Sequence, residues 1–227
     1  MVIEKKHIEQ VFKQRNWWDL IINLKISLII TKYLANKTKI TPNQVTLLSL
    51  IVAIFAGIAF WKEYYILGAF LYQFSYILDI VDGALARVTH QTSKFGAFLD
   101  VFTDWIKAPV LFVILFLKFN QVYLLIVLLL LLFFNCLVNK YNDMLYYQGS
   151  KSITKDLENS HEKNLLKRYL LFMKEKHIQP FPSTIEVEAL LLFFYPIFQH
   201  VIFVYMAFAI LIFQFVLKFY AIIKKIQ

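Results

Sequence analysis

Asp79-Ile80-Val81-Asp82-Gly83-Ala84-Leu85-Ala86-Arg87, then eight residues, then Gly96-Ala97-Phe98-Leu99-Asp100-Val101-Phe102-Thr103-Asp104, is the stretch that organises this 227-residue chain. Apolar runs surround it: Tyr64–Leu78 leads into the first half, and Phe95–Leu117 contains the second. A helix advances about 100° per residue, so Asp82, Gly83, Ala86 and Arg87 fall between about −60° and +80° of Asp79. Gly96, Asp100 and Asp104 fall within about 80° of one another by the same step. The link Val88–Phe95 is short and polar. It closes an antiparallel helix hairpin and turns the two acidic faces towards each other. Carboxylates inside apolar segments are expensive, and by default they mark function.

Outward from the hairpin, further apolar runs cover Val45–Phe60, Val122–Val138, Val187–Phe198 and Val201–Ile223. The run Tyr64–Leu78 extends to about Ala86. A membrane-crossing helix needs ~20 mostly apolar residues. The expected fold is an all-α membrane protein with six transmembrane helices. An amphipathic interfacial helix should precede them, because Trp17, Trp18, Ile21, Ile22 and Leu28 alternate with Asp19, Asn23 and Lys25. Residues 1–40 then form a cytoplasmic, interfacial segment, and 41–227 the transmembrane catalytic domain with a polar cytoplasmic loop over about 140–184. That loop should hold a short helix around His161–Lys176. Thr41-Pro42-Asn43-Gln44 and Ser183-Thr184-Ile185-Glu186 read as capping boxes opening the first and fifth spans. Met1–Arg15 has no apolar core, so a cleaved signal peptide is not expected.

Composition agrees. Apolar residues make up 59% of the chain and charged ones 17%, with a mean hydropathy of +0.60. The net charge of +9 would suit nucleic acid or an anionic membrane surface, and the apolar runs decide for the membrane. No nucleic-acid partner is expected. The single Cys136 excludes an internal disulfide and a cysteine zinc site. Twenty-one Lys and Arg fall on one side of the expected spans and two, Lys62 and Lys118, on the other. The positive-inside rule therefore puts both termini, and the acidic hairpin, on the cytoplasmic side.

Four converging carboxylates repel one another unless cations separate them. Hard oxygen ligands suit Mg²⁺ or Mn²⁺, and two such ions about 4 Å apart can hold a diphosphate and activate an attacking oxygen. Arg87 can neutralise a phosphate through its fork of donors. Lys107 lies three residues after Asp104, on the acidic face one turn deeper. It is either a contact for a substrate phosphate or a partner for one of the Asp. Competing readings of the acids are a structural ion-pair cluster and an ion path in a divalent-ion transporter. The five His are scattered, which leaves no histidine-based metal site.

The string D-x-x-D-G-x-x-A-R-x8-G-x-x-x-D-x-x-x-D resembles the signature of the CDP-alcohol phosphotransferases, also called CDP-alcohol phosphatidyltransferases. All eight defining residues are present: Asp79, Asp82, Gly83, Ala86, Arg87, Gly96, Asp100 and Asp104. The opening Thr41-Pro42-Asn43-Gln44-Val45-Thr46 is similar to the family's entry into its first span.

The resemblance implies transfer of a substituted phosphoryl group from a CDP-alcohol to the hydroxyl of a second alcohol, with release of CMP. In the commonest branch the donor is a CDP-linked lipid such as CDP-diacylglycerol and the product a phospholipid; a soluble donor such as CDP-inositol is the alternative. Asp79, Asp82, Asp100 and Asp104 would hold two divalent ions, and Asp104 would also accept the proton. Gly83, Ala86, Arg87, Ser93 and Gly96 would bind the donor with Asn43, Gln44, Val45 and Thr46. Ser93 has a competing reading as a helix N-cap, and Asn43 as a partner for helix-end backbone. The family fold is a six-helix membrane domain, usually homodimeric. The resemblance leaves the acceptor alcohol open.

Overall fold

The computed structural model describes residues 16–147, 168–169, 172–173, 175, 178–179 and 181–226. Most of the helix expected over His161–Lys176 lies outside them. Among the described residues, seven helical segments with full bounds follow in order. A π-helical turn Asp19–Asn23 runs into Leu24–Lys37, together α1. Then come α2 (Pro42–Trp61), α3 (Tyr65–Val88), α4 (Lys94–Lys118) and α5 (Val122–Tyr147). Thr184–Glu188, a π-helical stretch Ala189–Phe194 and Tyr195–Phe198 form a broken rod, α6. Ile202–Ile226 is α7.

Local chemistry sets the helix ends. Thr41 and Gln44 complete a capping box at α2, with Pro42 in the first turn. Ser183 and Glu186 do the same for α6. At α4 the Ser93 hydroxyl accepts from Gly96 N–H at 2.9 Å. Glu63, His90, Asn120 and Gln199 take left-handed backbone conformations between successive helices. After α2, α3 and α4 the chain closes with the long-reach bonds Tyr64 N–H to Ala59 C=O, Gln91 N–H to Ala86 C=O and Gln121 N–H to Phe116 C=O. These are Schellman-type ends that satisfy carbonyls otherwise left bare. His90 therefore serves the turn.

Helices α2 and α3 pack as a close hairpin. A methyl group on Gly68 would sit 2.4 Å from the Phe60 ring, so only glycine admits that approach. The main core gathers Phe60, Phe112, Phe116, Leu128, Leu191, Tyr195 and Leu211 from α2, α4, α5, α6 and α7. A second cluster, Val45 with Ile77, Leu78, Val81 and Leu85, seals α2 on α3. Outward faces carry Ile54, Phe55, Phe70, Phe98, Trp105, Phe133 and Phe213, all exposed. Such a surface suits hydrocarbon.

Among the described residues, four helices are long and apolar enough to cross a membrane: Pro42–Trp61, Tyr65–Val88, Val122–Tyr141 and Ile202–Tyr220. The expected six is thus met in part. Helix α4 has 25 residues, but Asp100, Asp104 and Lys107 interrupt its apolar run. Helix α6 is broken into short pieces, about 23 Å in all at 1.5 Å per residue.

Helix α1 turns a polar stripe inward. Asp19, Asn23, Ser27 and Thr31, each four residues apart, are buried, while Ile21, Ile29 and Tyr33 are exposed. Tyr76 donates to Asp19 at 2.8 Å, and Gln73 donates to Asn23. The Trp18 indole donates to Gln73 at 3.2 Å. Glu186 accepts from Trp17 N–H at 2.8 Å and Trp18 N–H at 3.2 Å. Burial pushes the Asp19 carboxyl above the usual carboxylate range, against the opposing hydrogen bonds from Tyr76 and Asn23.

Candidate active site

The hairpin of α3 and α4 brings Asp79, Asp82 and Asp100 together. One carboxylate oxygen of each lies within 4.8 Å of the others. Asp82 is only 3% exposed, and its Oδ2 is buried without a hydrogen-bond partner. A bare buried carboxylate oxygen is costly, and three carboxylates this close repel. A hard divalent cation answers both problems, so the residues present fit one. Thr46, one turn into α2, lies against Asp82.

Asp104 stands apart from this triad. Its side chain is 53% exposed and its Oδ1 lies 3.1 Å from the Lys107 ammonium. Lys107 also pairs with Asp79, and its Nζ lies 3.5 Å from the Ser49 hydroxyl. Only 7% of the Lys107 side chain is exposed. Of the two roles left open for it, the observed contacts are those of a partner to the acids.

A polar cleft of about 150 Å³ lies on one side of the triad. Asn43, Thr46, Gly83, Ala86, Arg87, Ser93 and Gly96 line it with Asp82 and Asp100. The Arg87 guanidinium lies over Gly83, where an added methyl would come within 3.3 Å of Nη1. At Gly96 a methyl would meet Asn43 Oδ1 at 2.9 Å and Ser93 Oγ at 3.1 Å. The glycine thus keeps the Asn43 side chain seated. Ser93 is both N-cap and cleft wall. Gln44 and Val45 do not line the cleft. The Gln44 side chain accepts from Thr41 N–H at 2.9 Å, and Val45 is buried between α2 and α3.

A larger cavity of about 460 Å³ opens on the other side, between α3, α4, α5 and α6. Its polar lining includes Tyr72, Ser75, Tyr76, Asp79, Asp104, Lys107, Thr184 and Glu188. Glu188 Oε2 accepts from the Tyr72 hydroxyl at 2.6 Å. The sequence reading passes over Glu188, although an ionisable residue at the head of an apolar run is the signal that flags Asp79.

A model of the CDP-alcohol phosphatidyltransferase family matches residues 39–220. The archaetidylinositol phosphate synthase of Pyrococcus horikoshii is 41% identical over 74 residues, 32% of this chain and 39% of that protein. A bifunctional IPC transferase and DIPP synthase of Archaeoglobus fulgidus is 42% identical over 83 residues, 37% of this chain and 16% of that protein. The matches therefore span well under half the length of these curated relatives. The fold is similar to that of the Mycobacterium tuberculosis phosphatidylinositol phosphate synthase, solved with CDP-DAG bound. That likeness has a TM-score of 0.51 at 18% identity and covers 86% of this chain and 92% of the other. With six of the eight signature residues lining one cleft and the family model spanning most of its length, the chain belongs to the CDP-alcohol phosphatidyltransferase family.

Proposed function

We propose that this protein is an integral membrane transferase of phospholipid biosynthesis. It moves a phosphatidyl-type group from a CDP-linked lipid to the hydroxyl of a second alcohol and releases CMP. The observation that carries the reading is the trio of carboxylates within 4.8 Å of one another, beside the cleft that Gly83 and Gly96 keep open. An apolar groove of about 420 Å³, lined by Leu50, Ile54, Gly57, Trp61 and Val110, reaches Lys107 from the membrane-facing side. A lipid donor can lay a chain there while its diphosphate meets the acids.

Asp79, Asp82 and Asp100, joined by Asp104, would hold two Mg²⁺ or Mn²⁺ ions, which supply neutralising charge to the diphosphate when bound. Asn43 and Thr46 form the α2 wall of the donor cleft, and Arg87 takes a phosphate oxygen. Asp104, open to the larger cavity, accepts the proton of the acceptor hydroxyl. That oxygen bonds to the phosphorus bearing the transferred alcohol, the bond from phosphorus to the CMP oxygen breaks, and CMP leaves. Lys107 holds Asp104 in place and keeps it from folding onto Asp79.

The same reading gives six crossings, with the charges of α4 turned inside and α6 as a short span that draws the bilayer thinner around it. Both termini and the acids lie on the cytoplasmic side, following the 21-to-2 distribution of Lys and Arg. The working unit is a homodimer, as is usual for the family.

The test is CMP release by the purified protein in nanodiscs, with CDP-diacylglycerol and CDP-archaeol as donors and a panel of alcohols. Preference for CDP-inositol over both lipids would move the donor to the soluble class. Divalent-ion flux in liposomes with no CMP formed would replace the transferase with a transporter.

A further inference from the structure

Lys107 of α4 has a seat built by two other helices. Its ammonium pairs with Asp79 of α3 and stands 3.1 Å from Asp104 Oδ1. Ser49 of α2 is fully buried, and its hydroxyl spends its proton on Thr46 C=O at 2.8 Å. What it turns to Lys107 Nζ, 3.5 Å away, is therefore a lone pair. Ser75 of α3 fixes the same residue by donating to Ser49 C=O at 2.8 Å. Two carboxylates and a hydroxyl lone pair thus surround one buried ammonium.

The acids divide accordingly. Asp79, Asp82 and Asp100 form the compact trio, and Asp104 is outside it. A divalent ion on the trio leaves the pair of Lys107 and Asp104 untouched. An ion that Asp104 helps to hold needs a carboxylate oxygen at about 2.1 Å, and the ammonium already stands on that carboxylate. Ion and ammonium together there would be two like charges at close range. The second ion and Lys107 therefore compete for Asp104. The ammonium has room to leave, because Lys107 borders both the cavity of about 460 Å³ and the groove of about 420 Å³, and its stem is flexible. The diphosphate of a CDP-alcohol carries two ionised phosphates. It supplies oxygens to an entering ion and a new partner for the ammonium.

We propose that Lys107 is a resident cation that yields Asp104 to the second divalent ion only when the donor diphosphate binds, so that the chain alone takes up one ion, on Asp79, Asp82 and Asp100. The proposal rests on the transferase reading above and adds an order of ion binding to it. By linkage, donor and second ion raise each other's affinity by the same factor, roughly tenfold to a hundredfold.

The experiment counts Mn²⁺ bound to the full chain in phosphatidylcholine nanodiscs, by calorimetry and by the paramagnetic resonance of the free ion. Nanodiscs with the same donor and no protein are the blank. The wild type should hold one ion per chain without donor and two with CDP-diacylglycerol, CDP-archaeol or CDP-inositol. Lys107→Met should hold two without donor, and Lys107→Arg, which keeps a cation there, should hold one. Two ions of similar affinity in the donor-free wild type would overturn the proposal, whether or not any variant folds. So would a single ion in a folded Lys107→Met protein, or a second ion whose affinity is the same with and without donor. Failure to bind any of the donors, with no CMP from any alcohol, would instead remove the transferase reading and the donor's part here, while the donor-free counts would still decide whether Lys107 excludes an ion.

Discussion

On one side of Asp79 and Asp100 the wall is Asn43, Gly83, Arg87 and Gly96, small or polar residues around about 150 Å³. On the other it is Tyr72, Tyr76, Phe112 and Glu188, bulky residues around about 460 Å³. The first wall needs two helices adjacent in sequence and one helix end. The second needs α5 and α6 as well, with Tyr72 and Glu188 separated by 116 positions. A narrow, polar wall suits a ligand part that never varies, which in the proposed function is the cytidine diphosphate. A roomy wall drawn from distant segments can change its selection without disturbing the first.

The sharpest way to break this comparison is to damage the two sides separately. Asp82→Asn should abolish donor binding by calorimetry and lower CMP release by about 10³-fold or more, because it removes charge from the buried member of the triad. Asp104→Asn should keep much of the donor affinity and lose on the order of 10²–10⁴ in turnover, the scale of a positioned acid or base. Similar donor affinities in the two variants would erase the distinction. Thorough chelation should also stop CMP release, with recovery on adding Mg²⁺ or Mn²⁺; full activity without a divalent ion would exclude the metal reading.

Lys107 stands on the border. Lys107→Met leaves Asp79 and Asp104 without their cation, and breaking a buried pair typically costs about 3–5 kcal/mol. Thermal unfolding should shift down sharply, with kcat falling in the surviving fraction. An unshifted transition would mean that the pair stores nothing. Gly96→Ala is milder and confined to the cleft. The new methyl displaces Asn43, so donor KM should rise roughly tenfold, with acceptor KM unchanged and little loss of stability. The smallest effect belongs to Thr41→Ala. Losing this N-cap should cost about 1 kcal/mol, read by thermal unfolding, with the donor side touched only through α2.

The acids and most of the cleft were legible because a 3.6-residue period, two glycines and two caps lie within one short span of chain. The four strongest membrane helices were legible from apolar length alone. What stayed hidden has physical reasons. Glu188 sits where a capped turn passes into an apolar run, so its pocket-facing role depends on α3 and α4. Gln44 and Val45 sit in the stretch that matches the family's helix entry, yet one is spent on the cap and the other on the α2–α3 core. The inward polar stripe of α1 follows a four-residue spacing that was visible, but its partners Gln73 and Tyr76 were not.

The anchoring of the chain at the head of α1 also dictates an order of assembly. The backbone of Trp17 is clasped by Glu186, 169 residues later. At a synthesis rate of about 5–20 residues per second, α1 waits roughly ten to thirty seconds for that partner to be made. Meanwhile it can rest at the water-lipid boundary, where its polar edge stays hydrated. The clasp closes only once residue 186 of 227 has been made, so a nascent chain that stalls before α6 carries the acids yet lacks the Glu186 end of this lock.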